Sequence, residues 1–162
     1  MKIHKALILS AAALVAFAIP QEAGARSARG EKTLGIAGGY ASYNHSGYAG
    51  VYFQYSFANH FRISPEVDYV FRNDDKSGLA ISCDMHFPFR LSRGNNIYPL
   101  AGLTFNNWNY SGDGSSSRFG GSLGAGFDFY LTQNLKLNVQ GKYSLMNDTS
   151  GLFAGLGIGY VF

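Results

Sequence analysis

The sequence has 162 residues, of which 14% are charged and 15% aromatic, with 21 glycines and a formal net charge of +3. Charged residues make up about a quarter of an average soluble domain, so this composition is unusual for one and fits either a protein that faces lipid or a β-rich shell, between which composition alone does not choose. The length fits one domain, and the small net charge gives no reason to expect a nucleic-acid partner. Cys83 is the single cysteine, which excludes an intramolecular disulfide.

The first 25 residues are predicted to be a secretory signal peptide. Lys2 and Lys5 precede an apolar run from Ala6 to Ile19, and small residues follow at positions 23–25. The run is shorter than the roughly 20 residues that a transmembrane helix needs. Residues 26–162 are therefore expected to form the exported domain.

After this segment the hydrophobic residues recur with a period of two, which predicts β-strands rather than helices. Eight strands are expected, at residues 32–43, 48–57, 61–72, 79–87, 97–106, 118–130, 135–146 and 152–162. Pro65 and Pro99 lie inside two of them, and a local distortion is expected at each because proline cannot donate to the ladder. Residues 107–117, rich in Asn, Ser and Gly, are predicted to be the longest loop.

The last strand alternates most clearly. Leu152, Ala154, Leu156, Ile158, Tyr160 and Phe162 form an apolar row, and the other row is mostly glycine. This ending resembles that of small bacterial outer-membrane β-barrel proteins of the porin-like or OmpA/OmpX-like kind. The resemblance implies an all-β, eight-stranded antiparallel up-and-down transmembrane β-barrel in the outer membrane, with both termini periplasmic. It also implies that Phe162, Tyr160 and Ile158 form an assembly signal read by the barrel-insertion machinery.

The distribution of charge predicts which face of each strand meets lipid. The expected lumen charge network consists of nine residues on predicted inward rows: Arg62, Glu66, Asp68, Arg72, Asp84, Arg118, Asp128, Lys136 and Lys142. A soluble exported lipocalin-like barrel would show the reverse, with charges outside and an apolar interior. The predicted protein is a monomer whose outer face contacts outer-membrane lipid and lipopolysaccharide.

Few residues suggest chemistry, and neither a metal nor a cofactor is expected. Gly120–Gly124 matches the G-x-S-x-G pattern of hydrolases, but no helix follows it as a nucleophile elbow requires. Ser82, Asp84 and His86 share one strand face, where they form a row and not a converging triad. We interpret them as part of a polar network in the lumen.

The expected function is envelope-structural or surface-interacting, without catalysis. Trp108 and Tyr110, at the start of the long predicted loop, are the candidates for contact with an external partner. The alternatives are a lipid-modifying outer-membrane enzyme and a small-solute pore. A pore is disfavoured because the lumen of an eight-stranded barrel is only wide enough for side chains to fill.

Overall fold

The computed structural model describes residues 29–112, 114–147 and 150–162. The predicted signal peptide lies outside these residues. Within them the chain forms nine strands: β1 (Lys32–Ala41), β2 (Ser46–Ala58), β3 (Phe61–Asn73), β4 (Lys76–His86), β5 (Phe89–Ser92), β6 (Asn95–Tyr110), β7 (Gly114–Tyr130), β8 (Leu135–Leu145) and β9 (Gly151–Val161). Among the same residues, no helix is long and apolar enough to cross a membrane.

The strands close into a barrel by antiparallel pairing of sequence neighbours. β1 pairs with β9, and β4 pairs with β6, so that eight strands complete the ring. The short β5 continues β4 along β6, because the pairs His86–Leu100 and Phe89–Ile97 have the same register. The predicted eight-stranded antiparallel barrel is confirmed. One of its strands is interrupted at Phe87, which lies opposite Pro99, and at Pro88, which lies opposite Tyr98.

Side chains alternate between the two faces of every barrel strand, as the period of two requires. On β3, Val67 and Tyr69 are 42% and 50% exposed, whereas Glu66 and Asp68 between and beside them are buried. The exposed rows are aromatic and aliphatic, and the buried rows are rich in polar residues. The barrel therefore has an apolar outer surface and a polar core inside its lumen.

The local distortion expected at Pro65 is present as a gap in the β2–β3 ladder, without a change of register. Pairing of β2 with β3 is interrupted between Tyr52–Glu66 and Tyr55–Ile63, yet the register is the same on both sides. Loss of the proline donor removes ladder bonds without requiring an extra residue in the strand. The irregularity of this strand pair lies instead between Ser56 and Ala58.

The predicted long loop at residues 107–117 is also corrected. β6 and β7 stay paired as far as Tyr110 and Gly114, so the connection shrinks to residues 111–113. Gly112 and Gly114 have positive φ angles of 111° and 89°, which suit the tight turn. Asn and Ser favour turns by bonding to their own backbone, but here the ladder with β4 and β7 satisfies that backbone.

Candidate functional site in the barrel interior

The interior of the barrel holds a connected set of buried charges. Seven of the nine predicted network residues are buried: Arg62, Glu66, Asp68, Asp84, Asp128, Lys136 and Lys142. They come from β3, β4, β7 and β8, whose inward rows converge on the barrel axis. Burial of charge is costly unless each charge is paired and hydrogen-bonded, so the contacts of each group decide what this interior can do.

Two of the predicted network residues lie elsewhere. Arg72 is exposed, because the register of β3 and β4 shifts between Val70 and Asn73 and the inward row ends there. Its assignment to the lumen network is corrected. Arg118 is half-buried, and its Nη1 donates to the carbonyl of Asn147 in the β8–β9 connection, at 3.1 Å. It therefore binds backbone at a barrel end.

Arg62 and Asp128 form a fully buried ion pair. Arg62 Nη1 lies 2.7 Å from Asp128 Oδ2, and both side chains have no exposed surface. The other guanidinium nitrogens donate to His86 Nδ1, at 2.9 Å for Nη2 and 3.3 Å for Nε. The ring of Tyr98 stacks on His86 with 4.5 Å between centroids and lies 4.8 Å from the Arg62 guanidinium carbon. His86 thus belongs to the polar network of the lumen.

Lys142 joins two carboxylates from different strands. Its Nζ lies 2.9 Å from Glu66 Oε2 and 3.2 Å from Asp84 Oδ2, and it donates to Ser82 Oγ at 2.9 Å. An ammonium group has three donors, so these three contacts use all of them. Asp84 is further satisfied by Ser122 Oγ, which donates to its Oδ1 at 2.6 Å.

Lys136 lies near the start of β1 and the end of β9 and bonds mainly to neutral oxygens. Its Nζ donates to Gln54 Oε1 at 2.7 Å and to Thr33 Oγ1 at 3.0 Å, with Glu31 Oε1 at 3.4 Å. The Tyr130 hydroxyl donates to the same Glu31 oxygen at 2.7 Å. Glu31 was missed by the sequence analysis because it precedes β1, outside the period of two that marks inward positions.

An aromatic cap closes the lumen at the end of the barrel opposite the start of β1 and the end of β9. We define this cap as Tyr43, Tyr48, Trp108 and Phe153. Tyr43 contacts Trp108 and Phe153 with centroid distances of 4.7 and 5.3 Å, and Tyr48 contacts Phe153 at 5.4 Å. Trp108 is 1% exposed, and its ring covers Gly78 so closely that a Cβ there would overlap it. Burial, and to a smaller extent the Asp68 carboxylate, raise the pKa of the Tyr43 hydroxyl in the β1–β2 turn.

The prediction of Trp108 as an external contact is wrong because its side chain is buried, whereas that of Tyr110, which is half-buried, stays a prediction. The inward row of β6 runs through Tyr98, Leu100, Thr104 and Asn106 and continues to Trp108, because the strand extends past its predicted end. Tyr110 is partly buried and packs against the same cluster as Trp108. Both residues belong to the packing of the barrel end.

The serine of the G-x-S-x-G segment lies in the middle of β7. Ser122 is 2% exposed and bonds to a carboxylate, whereas a nucleophile elbow places its serine at a sharp turn before a helix. Among the described residues, no group of three His, Cys, Asp or Glu side chains is arranged to hold a metal ion.

The lumen leaves little free space. A small cavity of about 10 Å³ lies among β1, β2, β3, β8 and β9, lined by Ala37, Tyr48, Tyr52, Gln54, Ser64, Glu66, Asn138, Gln140, Gly155 and Leu156. This volume fits about one water molecule. Paired charges, the aromatic cap and the remaining inward side chains occupy the interior.

Comparison with known proteins agrees with this architecture. Residues 9–162 match the family model described as the outer membrane protein beta-barrel domain. No curated protein matches the sequence. The fold is similar to the N-terminal β-barrel domain of Pseudomonas aeruginosa OprF, with a TM-score of 0.72 and 20% identity over 83% of this chain and 98% of that chain.

Two further solved structures share the fold. The attachment invasion locus protein Ail of Yersinia pestis has a TM-score of 0.61 and 21% identity, over 83% of this chain and 99% of that chain. Neisserial surface protein A has a TM-score of 0.64 and 18% identity, over 85% of this chain and all of that chain. At these identities the likeness concerns the fold alone.

Proposed function

The chain belongs to the outer membrane protein beta-barrel domain family, and on that premise we propose that it is a monomeric, non-conducting barrel with an envelope-structural or surface-interaction role and no catalysis. Its place in the bacterial outer membrane follows from the family. The outward rows of the strands form an apolar band of exposed aromatic and aliphatic residues. Because a transmembrane barrel has such a band where it meets the membrane, these rows contact lipid and lipopolysaccharide.

The filled lumen is the observation that carries this proposal. A conducting pore needs a continuous wet path, but here three layers of buried ion pairs and hydrogen bonds lie along the axis beneath the aromatic cap. Each cation in these layers is bonded to groups on other strands, so opening a path would leave buried charges unpaired. The same contacts support a structural role, because they tie the wall together across the lumen.

Conductance in planar lipid bilayers tests the closed state. Folded wild-type protein is expected to show no steady ohmic current at voltages where a general porin in the same apparatus conducts. A Trp108→Ala variant tests whether the aromatic cap is what prevents ion flow, since it removes the largest side chain of the cap. Stable ion conduction by the wild type would contradict the proposal and support the small-solute pore.

The groups that resemble catalytic ones support a role without catalysis. Ser122 is bonded to Asp84 and His86 to Arg62, and both are buried in the lumen, away from lipid and solvent. A lipid-modifying enzyme needs its nucleophile or base where an acyl chain can reach it. Purified protein is expected to leave lipid A unchanged during incubation in mixed micelles, with a known lipid A deacylase as the positive control.

The proposed surface interaction rests on the capped end of the barrel, opposite the start of β1 and the end of β9. Its turns at residues 42–45 and 74–75 present exposed His45, Asp74 and Asp75. These residues replace Trp108, and join Tyr110, as candidates for contact with a partner outside the cell. Labelling of a cysteine introduced at Asp74 on intact cells, in a Cys83→Ser background, tests whether this end is outside.

The last strand supports the assembly proposal. Ile158, Tyr160 and Phe162 lie on the outward row and are 41%, 57% and 60% exposed. We propose that the insertion machinery binds this row before the barrel closes against β1. Deletion of Phe162 is expected to reduce the folded fraction in the outer membrane, measured by heat-modifiable gel mobility, while refolding in detergent without the machinery is affected less.

A further inference from the structure

The exposed charges of the barrel differ between its two ends. Among the described residues, Asp74 and Asp75 are the exposed acids, and both lie in the β3–β4 turn at the capped end. At the opposite end, which we call the uncapped end, the exposed charged residues of the described chain are all cations: Arg29, Lys32, Arg90 and Arg93. The acid at this rim, Glu31, is half-buried and bonded to Tyr130 and Lys136. The uncapped end therefore presents positive charge to its surroundings.

Two of these cations lie together in the β5–β6 hairpin, Arg90 within β5 and Arg93 in the turn that follows. β5 pairs with β6 alone, because the β2–β3 turn on its other side ends beside Pro88 and Phe89. There the ring of His60 stacks on Phe89 with 5.8 Å between centroids, and its Nδ1 donates to the carbonyl of Pro88 at 2.9 Å. The hairpin therefore extends beyond the neighbouring turn, and both arginines are exposed on it.

An aromatic row on the outer face of the barrel leads up to this hairpin, and it consists of Tyr55, Phe57, Phe61 and Phe87. Successive ring centroids along the row lie 4.7, 6.0 and 5.9 Å apart. The hairpin adds the apolar side chains of Phe89 and Leu91, which are 50% and 61% exposed. In transmembrane barrels, aromatic residues at the ends of the apolar band lie at the boundary between lipid and water. The two arginines of the hairpin therefore lie at the depth of the lipid headgroups.

From this geometry we propose that the β5–β6 hairpin binds the headgroup of an anionic phospholipid, with the guanidinium groups of Arg90 and Arg93 contacting its phosphate. The proposal rests on the membrane placement of the outward rows given above. Guanidinium groups donate charge-assisted hydrogen bonds to phosphate oxygens, and Phe89 and Leu91 lie where they contact the acyl chains of the same lipid. An anionic lipid suits this end better than a zwitterionic one, because a zwitterionic headgroup brings a cation of its own into a region that is already positive.

A tryptophan placed in the hairpin reports which lipid binds there. Phe89→Trp is folded in vesicles of phosphatidylcholine and phosphatidylglycerol, with bromine on the acyl chains of one lipid or the other to quench its fluorescence. The signal of Trp108, measured on the parent protein, is subtracted. Each arginine is expected to raise the binding of phosphatidylglycerol relative to phosphatidylcholine about five-fold. Adding Arg90→Gln and Arg93→Gln is expected to remove this preference, whereas the matched control Arg72→Gln, at an exposed arginine of the capped end, keeps it.

Equal quenching of Phe89→Trp by the two brominated lipids would overturn the proposal, as would a preference that survives unchanged in the variant with both glutamines. If that variant does not fold, concentrated salt replaces it, because screening of exposed charges is expected to abolish the preference, and a preference that salt leaves unchanged would overturn the proposal. Leu103→Trp, exposed in the middle of β6, tests the membrane placement separately. It is expected to be quenched by both lipids, and absence of quenching by either would contradict that placement itself.

Discussion

Asp84 on β4 and Ser122 on β7 meet across β6, with Ser122 Oγ donating to Asp84 Oδ1 at 2.6 Å above the backbone of Gly102. The three residues share one row, since Asp84 pairs with Gly102 and Gly102 with Ser122. Glycine at the middle position leaves room for a carboxylate to span a strand. This contact gives Ser122 a structural role that its G-x-S-x-G surroundings do not suggest.

Because Asp84 crosses over Gly102, two glycine substitutions are expected to differ sharply in their effect on stability. Gly102→Ala is expected to destabilise the barrel by about 1–3 kcal/mol, because its Cβ would overlap Asp84 and approach Cys83 O to 2.5 Å. Gly141→Ala is the control, since a Cβ there meets no atom within 4 Å. Its effect on the urea midpoint in vesicles is expected to be small. Equal midpoints for the two variants would show that Gly102 has no special packing role.

The structural role of Ser122 predicts a loss of stability without a loss of any activity. Ser122→Ala removes a hydrogen bond to a buried carboxylate, which is expected to cost about 1.5–3 kcal/mol in urea unfolding. Ser144→Ala, at a buried position of β8 paired with Ser122, provides the comparison. If Ser122→Ala abolished a hydrolytic activity present in the wild type while the barrel stayed folded, the structural interpretation would be wrong.

The buried pair of Arg62 and Asp128 predicts non-additive effects. Asp128→Ala is expected to cost about 3–5 kcal/mol, because it leaves the Arg62 guanidinium buried without its anion. The double variant Arg62→Met, Asp128→Ala is expected to cost less than the sum of the two single changes, with a coupling of about 0.5–3 kcal/mol. A double-mutant cycle from urea unfolding measures this coupling, and an additive result would show that the pair contributes no net interaction.

Most of the barrel could be predicted from the alternation of residues, and the failures have identifiable physical causes. The hydrophobic period of two fixes which residues of a strand share a face. The charge distribution then shows which face is inward, and this was enough to assign Arg62, Asp84 and Asp128 to the lumen. The period cannot locate the end of a strand whose last residues are polar. The sequence therefore predicts a loop at Asn107 to Asn109. In the structure these residues lie in a hairpin beyond the apolar band, where pairing with neighbouring strands satisfies their backbone.

The site was less predictable than the fold, because it depends on contacts between strands far apart in sequence. Lys142 meets Glu66 across the lumen, and nothing in the local sequence around either residue records that approach. Glu31 lies before the first strand and reaches Tyr130 and Lys136 only once the barrel has closed. The same holds for Trp108, whose burial depends on Gly78 of the neighbouring strand.

Trp108 is expected to act on stability and not on binding to external partners. Trp108→Ala removes the largest side chain of the aromatic cap, and truncation of a buried Trp costs about 3–5 kcal/mol. Urea unfolding measures this loss, with Ser115→Ala, an exposed residue near the β6–β7 turn, as the control expected to change stability little. A Trp108→Ala variant of unchanged stability would contradict its place in the cap.

The lipid-facing assignment predicts a penalty for charge on the outward row. Val67 is the seventh of thirteen residues of β3, on the exposed apolar face, which places it near the middle of the strand. Arginine at the bilayer midplane of a barrel costs about 2–4 kcal/mol, so Val67→Arg is expected to lower the free energy of unfolding in vesicles by that amount. Ser115→Arg, exposed near the β6–β7 turn, is the control, because surface substitutions outside the apolar band usually change stability by no more than about 0.5 kcal/mol. Equal tolerance of both arginines would mean that the row through Val67 faces water, and the assignment of lipid to the outer face would have to be reversed.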